Sequence, residues 1–229
     1  MTLFLHHVGQ AGAEEDFKKT VYKDIGIGTV ESNVAASDPR RHELLNKLRQ
    51  KFPGGFFNCW GVPAGASSVI KRLQAGDFVL LLEAATQDGQ VPVLCHVRLF
   101  WPHKLWDLSL SLWNSNNYPY VFFFHTEKLN LSWPEFTEHV GYKPHYNPRG
   151  NFNSVASGKL DDFSGVAGYI QYLRGHHSLG PDPFAPVTEQ DLAESGVGQT
   201  LDKADVEQAL TMGEKKLELP PQLREGLTL

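Results

Sequence analysis

Cysteine is scarce in this chain. Its 229 residues include two, Cys59 and Cys95, and neither lies in a C-x-x-C pair. That spacing argues against a thiolate zinc site, and the expectation is two buried thiols in a reducing compartment. Long apolar runs are missing too. No stretch reaches the roughly 18 residues a membrane span needs. The most apolar short segment, Tyr118 to Phe124, contains Pro119 and reads as a strand. The N-terminus, MTLFLHHVGQ, has neither the basic flank nor the small-residue cleavage site of a signal peptide. A cytoplasmic location with no membrane partner is therefore expected.

Catalytic signatures are also wanting. There is no Walker loop, no G-x-S-x-G elbow and no helix with paired histidines and acidic neighbours. Glu214-Lys215-Lys216 has the outline of a nuclease Glu-x-Lys motif, but it lies in an acidic tail with no strand pair beside it. Two histidine pairs occur, His6-His7 and His176-His177. Adjacent residues on a strand point to opposite faces, so such a pair does not readily chelate a metal. The expectation is a binding domain rather than an enzyme, with no cofactor, no metal and no catalytic residue.

The charge that is present is unevenly placed. The formal net charge is −5. Residues 181–229 carry ten acidic and four basic side chains, whereas residues 1–180 carry 16 and 17. The body is thus nearly neutral. It can hold a local basic groove, but it does not predict strong non-specific DNA binding.

Apolar patterning gives the order of elements. Leu3 to Val8 reads as a strand, and Gly26-Ile27-Gly28 as a break after a loop or short helix over 13–25. Pro39 to Phe52 reads as a helix, with Asp38 as N-cap and Leu44, Leu45 and Leu48 as its apolar stripe. Phe56 to Val62 is a strand, residues 65–73 a short helix, and Phe78 to Glu83 a strand. An Asp88-Gly89 hairpin leads into a strand over Pro92 to Phe100. Trp101 to Trp113 (WPHKLWDLSLSLW) is aromatic and irregular. Tyr118 to Phe124 is a strand, Phe136 to Val140 a short helix, residues 141–159 a long loop, and Phe163 to Arg174 a closing helix. The sequence predicts a small α+β domain, a curved sheet or partial barrel flanked by short helices. It should span 1–178, with 179–229 an acidic linker or helical extension.

The stretch Phe57 to Leu82, FNCWGVPAGASSVIKRLQAGDFVLLL, pairs a Trp at a strand end with a short helix and a "GDFVLLL" strand. With the Trp-rich loop and YPYVFFF at 118–124, it resembles EVE domains and their YTH relatives of the PUA superfamily. The resemblance covers residues 1–175. It implies a PUA-like curved sheet and a pocket whose Trp helps cage a flipped, modified base. Taken with the N-terminal segments FLHHVGQ and DFKKTV, it is similar to the N-terminal specificity domain of modification-dependent restriction endonucleases. The acidic tail would then lead towards a nuclease domain in the same or a partner chain, and the ending PPQLREGLTL reads as a domain cut from a longer protein.

A reader of one base must take it out of the stack and hold it on aromatic faces. The candidate pocket residues are Trp60, Trp106 and Trp113 as walls, with Asn58, Ser32 and Asn33 as readers of the base edge. Core packing is the competing role for each Trp, and ordinary turn or surface polarity for the others. Trp101 and Trp133, each followed by proline, read as structural. The long loop supplies the candidate backbone contacts: Lys143, Arg149 and Lys159 for phosphates, Gly150 for close approach, Asn151 and Asn153 as amides. Its competing role is a solvated surface loop.

The favoured partner is double-stranded DNA carrying 5-methylcytosine or 5-hydroxymethylcytosine. The alternatives are a reader of N6-methyladenine in DNA and a PUA-like module that binds RNA. A hydrolase using a histidine with Asp161 or Asp162 is a third reading, and no motif places its nucleophile.

Overall fold

The computed structural model describes residues 1–8, 13–66, 69, 72–83, 86, 88–143, 146–148 and 152–180, with the side chains of residues 13 and 14 left out. The acidic tail beyond 180 and three loop candidates (Arg149, Gly150, Asn151) lie outside the described residues.

Seven strands form one sheet: β1 (Leu3–His7), β2 (Ile25–Gly26), β3 (Phe56–Val62), β4 (Phe78–Leu82), β5 (Val93–Trp101), β6 (Tyr120–Lys128) and β7 (Phe152–Ser154). Their spatial order is β2-β3-β6-β5-β4-β1-β7. Only β1 and β4 run parallel; β1–β7, β2–β3, β3–β6, β4–β5 and β5–β6 are antiparallel. The helices are α1 (Ala13–Thr20), α2 (Ile27–Asn33), α3 (Arg41–Lys51), α4 (Trp106–Trp113), α5 (Trp133–His139) and α6 (Val166–His176), with a 3-10 turn over Ser157–Phe163. This is the α+β curved sheet flanked by short helices that the sequence predicts.

Both faces of the sheet are covered, which is why β4 (FVLLL) is buried throughout instead of alternating. On the concave face Phe4, Trp60, Val62, Val79, Leu81, Val93, Cys95, Val97, Phe122 and Phe124 meet Phe17 and Val21 from the α1 region. The convex face is covered in two halves. Phe57, Cys59, Val121 and Phe123 lie under α2, α3 and α4, whereas Leu3, Leu5, Leu80 and Leu82 lie under α5, the 3-10 turn and α6. Strand β5 serves both faces through a bulge between Val97 and Leu99. Before it, Val93, Cys95 and Val97 point inward; after it, Leu99 and Trp101 point outward, because one extra residue reverses the alternation.

Three local expectations change. WDLSLSLW is a helix, because Leu108, Leu112 and Trp113 recur at helical spacing and Ser109 is buried with them. The alternating Leu-Ser pattern hid that period. Helix α2 starts at Ile27 straight after β2, so Gly28 sits inside a helix. The loop over 141–159 yields an edge strand, β7, and the first three residues of the 3-10 turn. At α3 the Asp38 carboxylate accepts from the Arg40 N–H at 2.8 Å, and Arg40, not Asp38, is the N-cap residue. Polar pins hold the margins. The Arg174 guanidinium on α6 forks onto Glu127 of β6 with two bonds of 2.6 Å. Asp77 accepts from the Thr2 and Gln74 N–H groups at 2.7 and 2.9 Å, fixing the start of β1.

Helix α5 begins with a reciprocal cap. The Ser132 hydroxyl accepts from the Glu135 N–H, and the Glu135 carboxylate accepts from the Ser132 N–H at 2.9 Å. The Ser132 hydroxyl also donates to the Glu135 carboxylate at 2.6 Å, and this bond first, then the one from the Ser132 N–H, holds the Glu135 carboxyl below its ordinary value. A depressed carboxylate stabilises the fold above its unfolded value of 4.5 and ceases to do so as pH falls through the folded one. Ser132→Ala should therefore cost about 1 kcal/mol in urea unfolding at neutral pH. The difference from wild type should narrow once pH drops below 4.5.

Candidate functional site

The concave face gathers aromatic side chains from strands that are far apart in the sheet. Trp60 on β3 donates its indole Nε1–H to Nε2 of His6 on β1 at 2.9 Å. Between these strands lie β6, β5 and β4. In a flat sheet the two backbones would stand about 19 Å apart at the usual strand spacing, too far for the side chains to meet. The sheet must therefore curl until β1 faces β3. Phe152 on β7 repeats the closure: its ring lies 4.9 Å from His6 and 6.3 Å from Phe122 of β6, again four strands away. The register explains the contact, since Phe152 is the β7 partner of His6 and shares its face.

Helix α1 closes this concavity. Phe17 lies 5.1 Å from the Trp60 ring, and Trp113 stands edge-on to it at 6.1 Å. The Trp113 indole donates to the Thr20 hydroxyl at 3.2 Å. Trp60 is only 9% exposed, so a base could stack on it only after Phe17 or its neighbours move aside. Gly61 leaves room for this packing. A Cβ there would sit 2.6 Å from the Tyr118 Cβ and 2.8 Å from the Trp113 ring.

The candidate pocket residues separate into different settings. Trp60 and Trp113 meet. Trp106 lies at the start of α4, 42% exposed, with the Lys104 ammonium 5.0 Å from its ring centre. Asn58 shares the concave face with Trp60 but is a buried pin. Its amide donates to the Lys23 carbonyl and the Asp24 carboxylate, each at 3.2 Å, and its oxygen accepts from the Thr126 N–H at 3.0 Å. Ser32 is exposed near the end of α2, and the Asn33 amide turns back onto the Thr29 carbonyl at 2.8 Å. Among the loop candidates, Lys143 is exposed, and Lys159 donates to the Gly141 carbonyl at 2.7 Å while lying over Tyr142. Asn153 pairs with Leu5, on the face away from Trp60.

Sequence reasoning weighed His6 only as a metal ligand and passed over Phe17 and Phe152. A signal for His6 was available: it follows Phe4 by two residues, so on a strand it shares the face of a core phenylalanine. The other titratable groups do not suggest chemistry. Burial pushes both the Cys59 and Cys95 thiols up, away from thiolate. Burial also lowers His96 and His139, favouring their neutral forms. Among the described residues no three His, Cys, Asp or Glu side chains converge as metal ligands. Nor is any helix there long and apolar enough to cross a membrane.

With this geometry in place, comparison with solved structures gives a likeness of fold. The chain is similar in fold to the N-terminal domain of Thermococcus gammatolerans McrB, solved bound to m5C DNA, with a TM-score of 0.54 and 18% identity. The match covers 76% of this chain and 98% of that one. No protein-family model matches the chain, and no curated protein matches it. At 18% identity the likeness is one of fold.

Two substitutions test the packing. Asn58→Ala removes a buried amide that satisfies three partners and should destabilise the protein by about 2–3 kcal/mol in urea unfolding. Gly61→Ala forces a methyl group against Tyr118 and Trp113 and should cost about 1–3 kcal/mol. A negligible loss in either variant would mean that the site relaxes more easily than its contacts imply.

Proposed function

We propose that residues 1–178 form a DNA-binding module that reads a modified base, with 5-methylcytosine or 5-hydroxymethylcytosine as the first-choice target. The observation that carries this reading is the likeness, over nearly the whole of the other chain, to a domain solved with m5C DNA. The aromatic group on the concave face supports it, because it offers what an extruded base needs: ring surfaces in a site that can be sealed from water.

In the proposed mechanism the target base leaves the stack and enters between α1 and the concave face. It stacks on Trp60 once Phe17 has swung away, with Trp113 behind. Ser32 and Asn33, the edge readers expected from the sequence, lie on α2 over the convex face and are poorly placed to reach its edge. Asn58 shares the concave face, but its three hydrogen bonds already hold the fold together. Lys143, Lys159 and the segment with Arg149, Gly150, Asn151 and Asn153 would meet the phosphates. Trp106, half-exposed beside Lys104, suits contact with the duplex outside the pocket better than a role as a pocket wall. The resemblance of the 57–82 segment to EVE and YTH domains supports assigning the module to that group of the PUA superfamily. It would act as the specificity element for a nuclease domain in the same or a partner chain, and would not itself cut DNA.

The test is a fluorescence-anisotropy titration at one fixed salt concentration. The duplexes are matched and carry cytosine, 5-methylcytosine, 5-hydroxymethylcytosine or N6-methyladenine; a structured RNA completes the set. A preference of about 1–3 kcal/mol for a modified duplex is expected, since that is what one base–aromatic stack contributes. Trp60→Phe, which keeps a ring in the core, should reduce it. Trp60→Ala should abolish it, with circular dichroism confirming that the variant still folds. Equal affinity for all four duplexes, or tighter binding to the RNA, would sink this reading.

A further inference from the structure

Resting on the reading just given, we propose that His6 is a positioning residue for base recognition: its unprotonated Nε2 holds the Trp60 indole in the orientation the base requires. Indole nitrogen is a donor only. The 2.9 Å bond from Trp60 Nε1 therefore requires a lone pair on His6 Nε2, which exists only in the neutral imidazole with its proton on Nδ1. A second proton on the ring would set two donors against each other across the concavity.

The surroundings make the arrangement specific. His6 is 4% exposed, its ring tilted against Phe152 at 4.9 Å, with Leu81 of β4 as its strand partner. Trp60 is held on its other sides by Phe17 and Trp113, so the bond to His6 is the sole polar fix on its indole among the contacts described. Among the described residues, the surrounding elements carry few charged groups. On β1 itself His7 points to the opposite face. Past the end of β4 lies Glu83. Beside β7, Arg72 reaches the Ser154 hydroxyl at 3.5 Å and lies 5.9 Å from the Phe4 ring. On α1, Lys18 pairs with Glu15 and Lys19 with Asp16. From β3 the concave side presents Asn58, Trp60 and Val62, none of them charged.

Protonation of His6 would remove the acceptor of this bond, so acid acts on base discrimination in a way it does not act on general DNA affinity. Acidification adds positive charge and strengthens phosphate attraction overall. Loss of the Trp60 fix acts oppositely, and only on the preference for the modified duplex. The quantity to follow is therefore the ratio of the two dissociation constants, not either constant alone.

The experiment combines that ratio with the Trp60 indole N–H resonance, both followed from about pH 8 to about pH 5, in the intact chain and in His6→Gln. Glutamine places an acceptor oxygen near the position of Nε2 and does not titrate. In the wild type the indole resonance should shift with pH, and the modified-to-unmodified preference should fall about tenfold in step with it, the loss expected when a buried donor's acceptor is withdrawn. In His6→Gln the resonance should stay put and the preference should persist at acid pH. The remaining indole signals report whether the fold is intact at each pH, and the wild-type titration stands even if the variant fails to fold. A preference that exists but is flat with pH overturns the role of His6 while leaving the base-reading function in place. The role also falls if the Trp60 indole signal is insensitive to acid. Absence of any preference, with the indole still titrating, overturns the base-reading function and this role together.

Discussion

One hydrogen bond between strands that are not neighbours governs the shape of this domain. Trp60 and His6 belong to strands four places apart in the sheet, and they meet only because the sheet curls on itself. The curl brings Phe152 onto Phe122 and sets the edge strand β7 across the concavity from β6. It also creates a concave side deep enough to need a cover, which α1 supplies through Phe17 and Thr20. The β5 bulge belongs to the same constraint. A strand that must feed the concave core at one end and the convex core at the other needs its alternation reversed midway. Geometry, aromatic packing and the covering helix are thus one arrangement, and the base site proposed above would draw on all three.

The electrostatics are consistent with recognition that relies on shape and stacking more than on bulk charge. The first 180 residues are almost neutral, and several of their cations are already engaged. Arg174 is forked onto Glu127, Lys159 holds the Gly141 carbonyl, and Lys18, Lys19, Lys47 and Arg49 pair with carboxylates. Exposed pairs of this kind contribute little to stability and can be exchanged for phosphate at small cost. Discrimination would therefore depend on the concave aromatic group, which carries no net charge of its own when His6 is neutral.

Much of this fold is legible in the sequence, and the exceptions have physical reasons. FFNCWGV, FVLLL and YVFFFHTEK announce themselves as strands because β-branched and aromatic residues crowd surfaces that are buried on both faces. Helix α4 does not, because its Ser-Leu alternation imitates a strand while the buried set Leu108, Leu112 and Trp113 follows helical spacing. Strand β7 is illegible for another reason. Phe-Asn-Ser has little intrinsic strand tendency and is extended because β1 offers it an edge. The site was readable in part. A Trp at the end of a strand is visible in FNCWGV, but its partners come from residues 6, 17 and 113, with Phe152 against His6, and no local pattern connects those positions. Asn58 shows the limit most clearly: a polar residue two places before Trp60 looks like a reader, and whether it binds a ligand or its own chain depends on a turn at Lys23 and Asp24.

The placement of β1 has a consequence for how the protein is made. Of the seven strands this one is synthesised before the others, yet its partners are β4, about 75 residues later, and β7, about 150 residues later. Such long-range pairing is slow and must wait for the intervening chain. His6 and Trp60 therefore remain apart until nearly the whole domain has emerged, and the concave site is assembled last. A chain stalled or truncated before residue 152 could build the central hairpin of β5 and β6 but would lack the strand that completes the site. Competence to bind would then act as a report that folding is complete.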